Sequence, residues 1–280
     1  MLVNLVDILK LVDEKKMAVG AFNTPNTPSL FAVLDAAEKL NLPVIIMHAQ
    51  VHEPVAPLAK IGPLMVNAAQ RAKVPVCVHL DHCESLDYLQ TALDMGFTGI
   101  MYDGSTLPYD QNLANTVKAV AVCKPYGAGV EAELGSLASR EGGEGVAAGP
   151  VYTDPEQAVS FCRTTGIDTL APSFGTAHGI YKSTPVLDLE LVSTIAEKTG
   201  LPLVMHGGSG VSHEDYRIGI RNGLRKINYY SYMSRAGVKA VRAKLDREDV
   251  TFYHDLELEA QLAMQADVEN AMKVFAGLEN

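Results

Sequence analysis

Pro75-Val-Cys-Val-His-Leu-Asp-His-Cys-Glu-Ser85 is the stretch whose reading decides the fold. Val74 to Leu80 is a short apolar, β-branched run of the kind that forms a buried strand. Asp81 and His82 stand where it stops, before a helix that starts near Ser85. A helix-capping Asp beside a core His would explain that pair alone. The pattern recurs, however. Thr169 to Phe174 runs into Gly175-Thr-Ala-His-Gly179, and Leu201 to Met205 runs into His206-Gly-Gly-Ser-Gly210. Three strand-like runs thus end at or near His82, His178 and His206. Three neutral imidazoles with an open fourth position make a catalytic zinc site, and parallel strands of one barrel would bring these distant positions together.

Working outward, the same alternation covers the chain. Asn4 to Glu14 has helical apolar spacing through Leu5, Ile8, Leu9 and Val12, and Met17 to Phe22 reads as the first strand. Helices are expected at Ser29–Leu40, Pro63–Ala72, Ser85–Met95, Asp110–Cys123, Pro155–Arg163, Leu187–Lys198 and Glu214–Asn222. The intervening strands are Val44–Met47, the one ending at Asp81-His82, Thr98–Tyr102, Gly127–Glu131, Asp168–Ala171, Leu201–Met205 and Lys226–Ile227. Eight strands alternating with helices predict one α/β domain over residues 1–280, a (β/α)8 TIM barrel, with additional C-terminal helices at Met233–Leu245 and Leu256–Phe275. An open doubly wound sheet is the competing topology, and the lone Gly207-Gly208-Ser209-Gly210 does not establish it. The glycine-rich segment at about 134–151 lacks either period and is expected to be a mobile active-site loop.

Composition narrows the function. A chain of 280 residues with 48% apolar content can bury a large core, and its net charge of -10 offers no basic footprint for nucleic acid. Cys77, Cys83, Cys123 and Cys162 have no framework spacing and are read as reduced, which suggests a cytoplasmic protein. The first helix carries Asp7 and Lys10, so it is neither a signal peptide nor a membrane span, and no later stretch has spanning length.

In a parallel barrel, catalytic groups sit at the carboxyl ends of the strands. Those ends hold Asp81, His82, Asp103, Glu131, Glu133, His178, His206 and Asn228. Asp81 is then free for proton transfer. Asp103 and Glu133 are candidates for a second metal or for holding the ligating imidazoles, although caps and rim salt bridges would account for them too. Gly179, Gly207-Gly208-Ser209 and Asn228 to Ser231 follow the last three strands, where backbone N–H groups commonly hold a phosphate. His79 reads as a core histidine, His213 and His254 as structural or solvated. Lys182 lies past its strand end and is a poor Schiff-base candidate.

These residues resemble the class II, zinc-dependent ketose-bisphosphate aldolases, the fructose- and tagatose-bisphosphate aldolase type. The likeness runs through Ala21-Phe-Asn23, Val78-His-Leu-Asp-His82, Asp103-Gly-Ser105, Glu131-Ala-Glu-Leu-Gly135, Tyr152-Thr-Asp-Pro155, Gly175-Thr-Ala-His-Gly179, His206-Gly-Gly-Ser-Gly210 and Lys226-Ile-Asn228. The resemblance implies a TIM barrel and Zn²⁺ on His82, His178 and His206. It also implies that Asp81 exchanges a proton with the C4 hydroxyl while a ketose 1,6-bisphosphate splits into dihydroxyacetone phosphate and glyceraldehyde 3-phosphate. Phosphate would lie against Gly179, Gly207, Gly208, Ser209, Asn228 and Ser231, with a monovalent cation (Na⁺ or K⁺) nearby, and Asn23 joins the substrate-binding set. The loop base that shuttles the C1 proton falls on Glu141, with Glu144 as the alternative. A homodimer or homotetramer is implied as well.

Departures bear on the aldehyde. Met47-His48-Ala49-Gln50 replaces a Gln-x-Ser type strand end, Thr106 stands where many relatives have His, Cys83 replaces a common glycine, and Tyr229-Tyr230 replaces smaller or acidic residues. A class II aldolase joining dihydroxyacetone phosphate to a different aldehyde is therefore the alternative reading. A non-catalytic partner subunit of an aldolase complex would have lost ligands that are all present here. A zinc hydrolase barrel would show an early His-x-His without phosphate loops.

Overall fold

The computed structural model describes residues 1–135, 151–181 and 183–278. Eight parallel strands close a barrel in sequential order: β1 (Val19–Asn23), β2 (Val44–Ala49), β3 (Val76–Cys83), β4 (Gly99–Tyr102), β5 (Gly129–Leu134), β6 (Thr169–Pro172), β7 (Leu203–Met205) and β8 (Leu224–Asn228). Pairing of β1 with both β2 and β8 completes the ring. The helices around it are α2 (Thr27–Leu40), α3 (Leu58–Arg71), α4 (Leu86–Asp94), α5 (Tyr109–Cys123), α6 (Pro155–Thr165), α7 (Leu189–Thr199) and α8 (His213–Arg221). Helix α1 (Leu5–Glu14) precedes the barrel, and α9 (Ser231–Arg247) and α10 (Tyr253–Phe275) follow it. The (β/α)8 barrel with C-terminal helices is thus what forms.

Strand alternation sorts the apolar residues into two cores. Inward-facing Val19, Ala21, Ile45, Met47 and Cys77 cluster with Leu5, Ile8, Leu9 and Val12 of α1, which plugs the amino end of the barrel. Outward-facing Val44, Ile46, Val76, Val78 and Leu80 pack against the helices. With one end closed by α1, the opposite mouth is where a polar pocket can open.

Several boundaries differ from expectation. Helix α3 begins at Leu58, so Pro63 lies inside it. The residue before the helix is Pro57, but Glu53 Oε2 accepts from the Leu58 N–H at 2.8 Å and supplies the missing cap from a distance. Strand β5 continues to Leu134, held in register by β6, which makes Glu133 a strand residue on the same inner face as Glu131. Strand β8 accommodates the charged pair Arg225-Lys226 because each has a partner: Arg225 Nε lies 2.6 Å from Asp13, and Lys226 Nζ 2.8 Å from Glu131. Helices α9 and α2 both pack on α10, where Lys39 bonds Glu269 at 2.8 Å.

Candidate metal centre and active site

Asp81 and His82 are consecutive, so in a regular strand they would face opposite ways. The pairing of β3 with β4 runs from Leu80↔Ile100 to Cys83↔Tyr102, which leaves one extra residue on β3. His82 absorbs this bulge at φ 46, in the left-handed region that a non-glycine residue seldom adopts. Asp81 and His82 can therefore both serve the barrel mouth.

Around it stand the expected imidazoles. His82 Nε2 and His206 Nδ1 are 2.9 Å apart, and the His178 ring lies with its centroid 4.8 Å from that of His82 and 5.8 Å from that of His206. One nitrogen from each falls within 4.8 Å of the others. The outer nitrogens decide the tautomers. His82 Nδ1 meets Asp103 Oδ2 at 2.8 Å, and His206 Nε2 meets Glu131 Oε1 at 2.8 Å. A carboxylate can only accept, so each outer nitrogen carries the proton and two lone pairs face each other across 2.9 Å. Burial and the neighbouring His82 also lower the pKa of His206, which disfavours an imidazolium as the remedy. A cation between the rings resolves the conflict, so this donor set fits a divalent metal of zinc's preferences.

Asp103 and Glu133 form a second group with His82, their ligand atoms again within 4.8 Å of one another. Their protonation differs. Burial opposes ionisation of Asp103, but His82 and two hydrogen bonds from Ser105, at 3.0 Å from N–H and 2.7 Å from Oγ, hold it well below the usual carboxylate range. Glu133 has burial and the charge of Asp103 against it and is pushed up to about 8. The two carboxyls of this cluster are thus pushed in opposite directions.

Asp81 is fully buried on the inner face of β3. Asn23 Nδ2 donates to its Oδ2 at 3.2 Å and Asn228 Nδ2 to its Oδ1 at 3.1 Å. Burial resists its charge, yet His82, Lys226 and His206 outweigh that and keep the carboxyl well below its ordinary value. A buried, ionised carboxylate beside a metal-type donor set can accept a proton from a substrate hydroxyl.

The residues expected to bind phosphate gather where β6, β7 and β8 end. Gly207 has φ +63, and a Cβ there would meet the Ala177 carbonyl oxygen at 2.3 Å, so the loop bearing His178 lies tightly on it. Tyr181 Oη ties the two loops, accepting from Ala177 N–H at 2.9 Å and donating to the Gly207 carbonyl at 2.8 Å. The Gly208 N–H is spent on the Asn228 carbonyl at 3.1 Å, and Ser209 Oγ accepts from Tyr230 N–H at 3.0 Å. Gly208 therefore contributes close approach rather than a donor. Ser231 opens α9, whose first-turn N–H groups have no partner within the helix.

Other assignments fall elsewhere. Glu141, Glu144 and Lys182, and nearly all of the expected 134–151 loop, lie outside the described residues. Its anchors are described: Thr153 Oγ1 donates to the Leu134 carbonyl and accepts from Ser173 N–H at 2.8 Å. His48 faces the helix layer, with Nε2 2.8 Å from Tyr88 Oη of α4, so it is not a wall of the pocket. His213 starts α8 and His254 is exposed in α10.

Sequence reasoning named Glu131 as a strand end and Lys226 within a strand and a motif, but gave neither a role. Both are fully buried inside the barrel with His79, whose Nε2 is 3.4 Å from Glu131. The available signal was parity: Glu131 shares a face with Glu133, Lys226 with Asn228, and His79 with Asp81. Gly99 makes room for His79, since a Cβ there would sit 2.5 Å from its Nδ1.

Comparison with known proteins gives a consistent relationship. The sequence model of the family described as Fructose-bisphosphate aldolase class-II matches residues 3–279. The chain is 36% identical over 261 residues to the uncharacterized protein YdjI of Escherichia coli (strain K12), covering 93% of this chain and 92% of that one. It is 36% identical over 253 residues to a fructose-bisphosphate aldolase of Staphylococcus epidermidis, covering 88% and 87%. Among solved structures, the YdjI aldolase from Escherichia coli K12 superposes with a TM-score of 0.88 at 33% identity, over 98% of this chain and 97% of that one.

Proposed function

The chain belongs to the class II fructose-bisphosphate aldolase family and is an aldolase, a carbon–carbon lyase; from that premise we propose that it is zinc-dependent and cleaves a ketose 1-phosphate unit reversibly to dihydroxyacetone phosphate and an aldehyde. The 1,6-bisphosphates of fructose and tagatose, yielding glyceraldehyde 3-phosphate, are the family's expected substrates. The observation that carries the reading is the pair of lone-pair nitrogens, His82 Nε2 and His206 Nδ1, held 2.9 Å apart by carboxylates on their far sides.

His82, His178 and His206 would hold the metal. When bound, Zn²⁺ supplies a Lewis acid that draws electron density from the ketone of the substrate. Asp81 takes the proton of the C4 hydroxyl as the C3–C4 bond breaks, and returns it to the aldehyde oxygen in condensation. Asn23 and Asn228 orient that carboxylate. Gly179, Gly207, Ser209 and the α9 N-terminus receive the C1 phosphate, with Gly208 closing the wall and a monovalent cation assisting. Glu141 on the loop, or Glu144, handles the proton at the carbon that becomes the carbanion of dihydroxyacetone phosphate. Asp103 holds His82 through its Nδ1, and Asp103 and Glu133 are the candidates for a second metal position.

We place the enzyme in the cytoplasm, a reading supported by four buried free cysteines and by the lack, among the described residues, of any helix long and apolar enough to cross a membrane. A homodimer or homotetramer is supported by exposed Val238, Leu245, Leu258 and Leu262 on the α9–α10 pair. The test is a coupled assay of the zinc-loaded protein with fructose 1,6-bisphosphate and tagatose 1,6-bisphosphate, each repeated after chelation. Chelator-sensitive cleavage, or failing that chelator-sensitive proton exchange on dihydroxyacetone phosphate, supports the reading. Absence of both overturns it.

A further inference from the structure

Two successive peptides follow His206 at the end of β7, and their hydrogen bonds differ. The first, between Gly207 and Gly208, is held at both ends: Tyr181 Oη donates to the Gly207 carbonyl at 2.8 Å, and the Gly208 N–H donates to the Asn228 carbonyl at 3.1 Å. In the second, between Gly208 and Ser209, only the carbonyl is held. It accepts from Tyr216 Oη and from the Val211 N–H at 3.2 Å, which fills both lone pairs. The Ser209 N–H makes no hydrogen bond among the described residues.

Direction follows from peptide geometry. A trans peptide aims its C=O and its N–H opposite ways, and this one is trans. Tyr216 belongs to α8, is buried, and packs edge-on to Phe275 of α10 with ring centroids 5.0 Å apart. The Gly208 carbonyl is thus drawn outward into the helix layer, and the Ser209 N–H is turned back toward the barrel mouth. Ser209 Oγ accepts from the Tyr230 N–H at 3.0 Å, so its own hydrogen remains available as a second donor. Gly208 has no side chain to limit rotation of this peptide, and the Val211 bond at 3.2 Å is a weak restraint by itself. The Tyr216 hydroxyl supplies the stronger one. Donors fixed in advance need not be turned from another partner when an anion arrives.

Resting on the phosphate placement proposed above, we infer that Tyr216 is a positioning residue for the phosphate of the substrate: by holding the Gly208 carbonyl outward it fixes the N–H and hydroxyl of Ser209 as a donor pair. Tyr181 has the corresponding task one peptide earlier, on the metal side. Its hydroxyl bonds the Ala177 N–H and the Gly207 carbonyl, the immediate neighbours of His178 and His206.

The experiment compares the zinc-loaded full chain with Tyr216→Phe, which keeps the ring against Phe275 and leaves Val211 on the carbonyl; thermal unfolding verifies that it folds. Calorimetry measures binding of dihydroxyacetone phosphate and of inorganic phosphate, and chelator competition measures zinc affinity. Proton exchange with solvent is followed on dihydroxyacetone phosphate and on dihydroxyacetone, which lacks the phosphate. Tyr216→Phe should bind both phosphate probes about tenfold more weakly and raise KM for exchange on dihydroxyacetone phosphate by about the same factor, with kcat nearly unchanged. Zinc affinity and exchange on dihydroxyacetone should stay as they were, whereas Tyr181→Phe should weaken zinc. Unchanged phosphate affinity in Tyr216→Phe overturns the inference. So does an equal loss of zinc affinity or of exchange on dihydroxyacetone, since the hydroxyl would then only support the fold. Binding requires no chemistry and so separates the failures. A chain that binds the phosphate probes but catalyses no exchange loses the aldolase reading, while the binding comparison still decides on Tyr216; one that binds neither probe loses both.

Discussion

Glu131 reaches His206 with one carboxylate oxygen and Lys226 with the other, at 2.8 Å in both cases, and all three side chains are buried. A fully buried lysine and glutamate inside a barrel are tolerated only as a pair. Here the pair also fixes the proton on His206 Nε2. Removing one partner should therefore affect stability and metal affinity differently.

Lys226→Met leaves Glu131 an uncompensated buried charge and should cost about 3–5 kcal/mol of stability. Adding Glu131→Gln should restore much of that, but zinc affinity should stay about 10–100-fold weaker because the strong acceptor behind His206 is gone. Denaturant unfolding and zinc competition with a chromogenic chelator measure the two effects separately. If affinity recovers along with stability, Glu131 has only a structural role.

The metal set and the proton carrier should separate in the same way. His206→Ala should lose zinc and all activity. Asp81→Ala should retain zinc by competition titration while carbon–carbon cleavage falls by at least about a thousandfold, at the strong end of the range for a lost general base. A fully active Asp81→Ala enzyme would rule out the proton-transfer role.

Gly207→Ala tests the contact between the two histidine-bearing loops. The new Cβ would lie 2.3 Å from the Ala177 carbonyl oxygen, at a φ of +63 that alanine disfavours, so the 175–179 loop must move and take His178 with it. Stability should drop by more than about 1 kcal/mol, and zinc affinity should fall although no ligand has been changed. Gly200→Ala, at φ +69 but with nothing within 4 Å, isolates the backbone component. Equal zinc affinity in the two variants would show that the contact does not govern the metal site.

His48 predicts an acid limb of stability. Burial, then the charge of His52, lower its pKa from 6.5 to about 4, so the folded protein holds it neutral where the unfolded chain binds a proton. Between about pH 6.5 and 4 the unfolded state carries more protons, and stability must fall as pH falls. This group contributes on the order of 2–3 kcal/mol of that loss. Buried His79, lowered to about 3, acts in the same direction. His48→Gln, which keeps a group to meet Tyr88, should flatten the slope of unfolding free energy against pH in that window. An unchanged slope would mean that His48 is already protonated or exposed.

The sequence by itself determined the barrel and the membership of its rim. Short β-branched apolar runs and intervening helical periods leave few ways to bury both, and a parallel barrel places strand ends together wherever they fall in the chain. Hence Asp81, His82, Asp103, His178, His206 and Asn228 could be assembled before any distance was known, and the glycines at the last three strand ends could be read as an anion cradle. The motifs around them also carried the family.

Tertiary structure decided what depends on register and direction. The bulge that turns His82 to φ 46 beside Asp81 comes from pairing with β4, since nothing in Leu80-Asp81-His82-Cys83 alone specifies an extra residue. Glu133 became an inward-facing strand residue because β6 holds β5 in register past Glu131, and there burial and Asp103 push its pKa up. His48 turned outward to Tyr88 while His52, four residues later, came to stand by Tyr230, because the strand gives way to a turn between them. Burial and long-range pairing set the charge states of Glu131, Lys226 and His206. These are properties of residues far apart in sequence that a strand pattern brings near without saying which atoms meet.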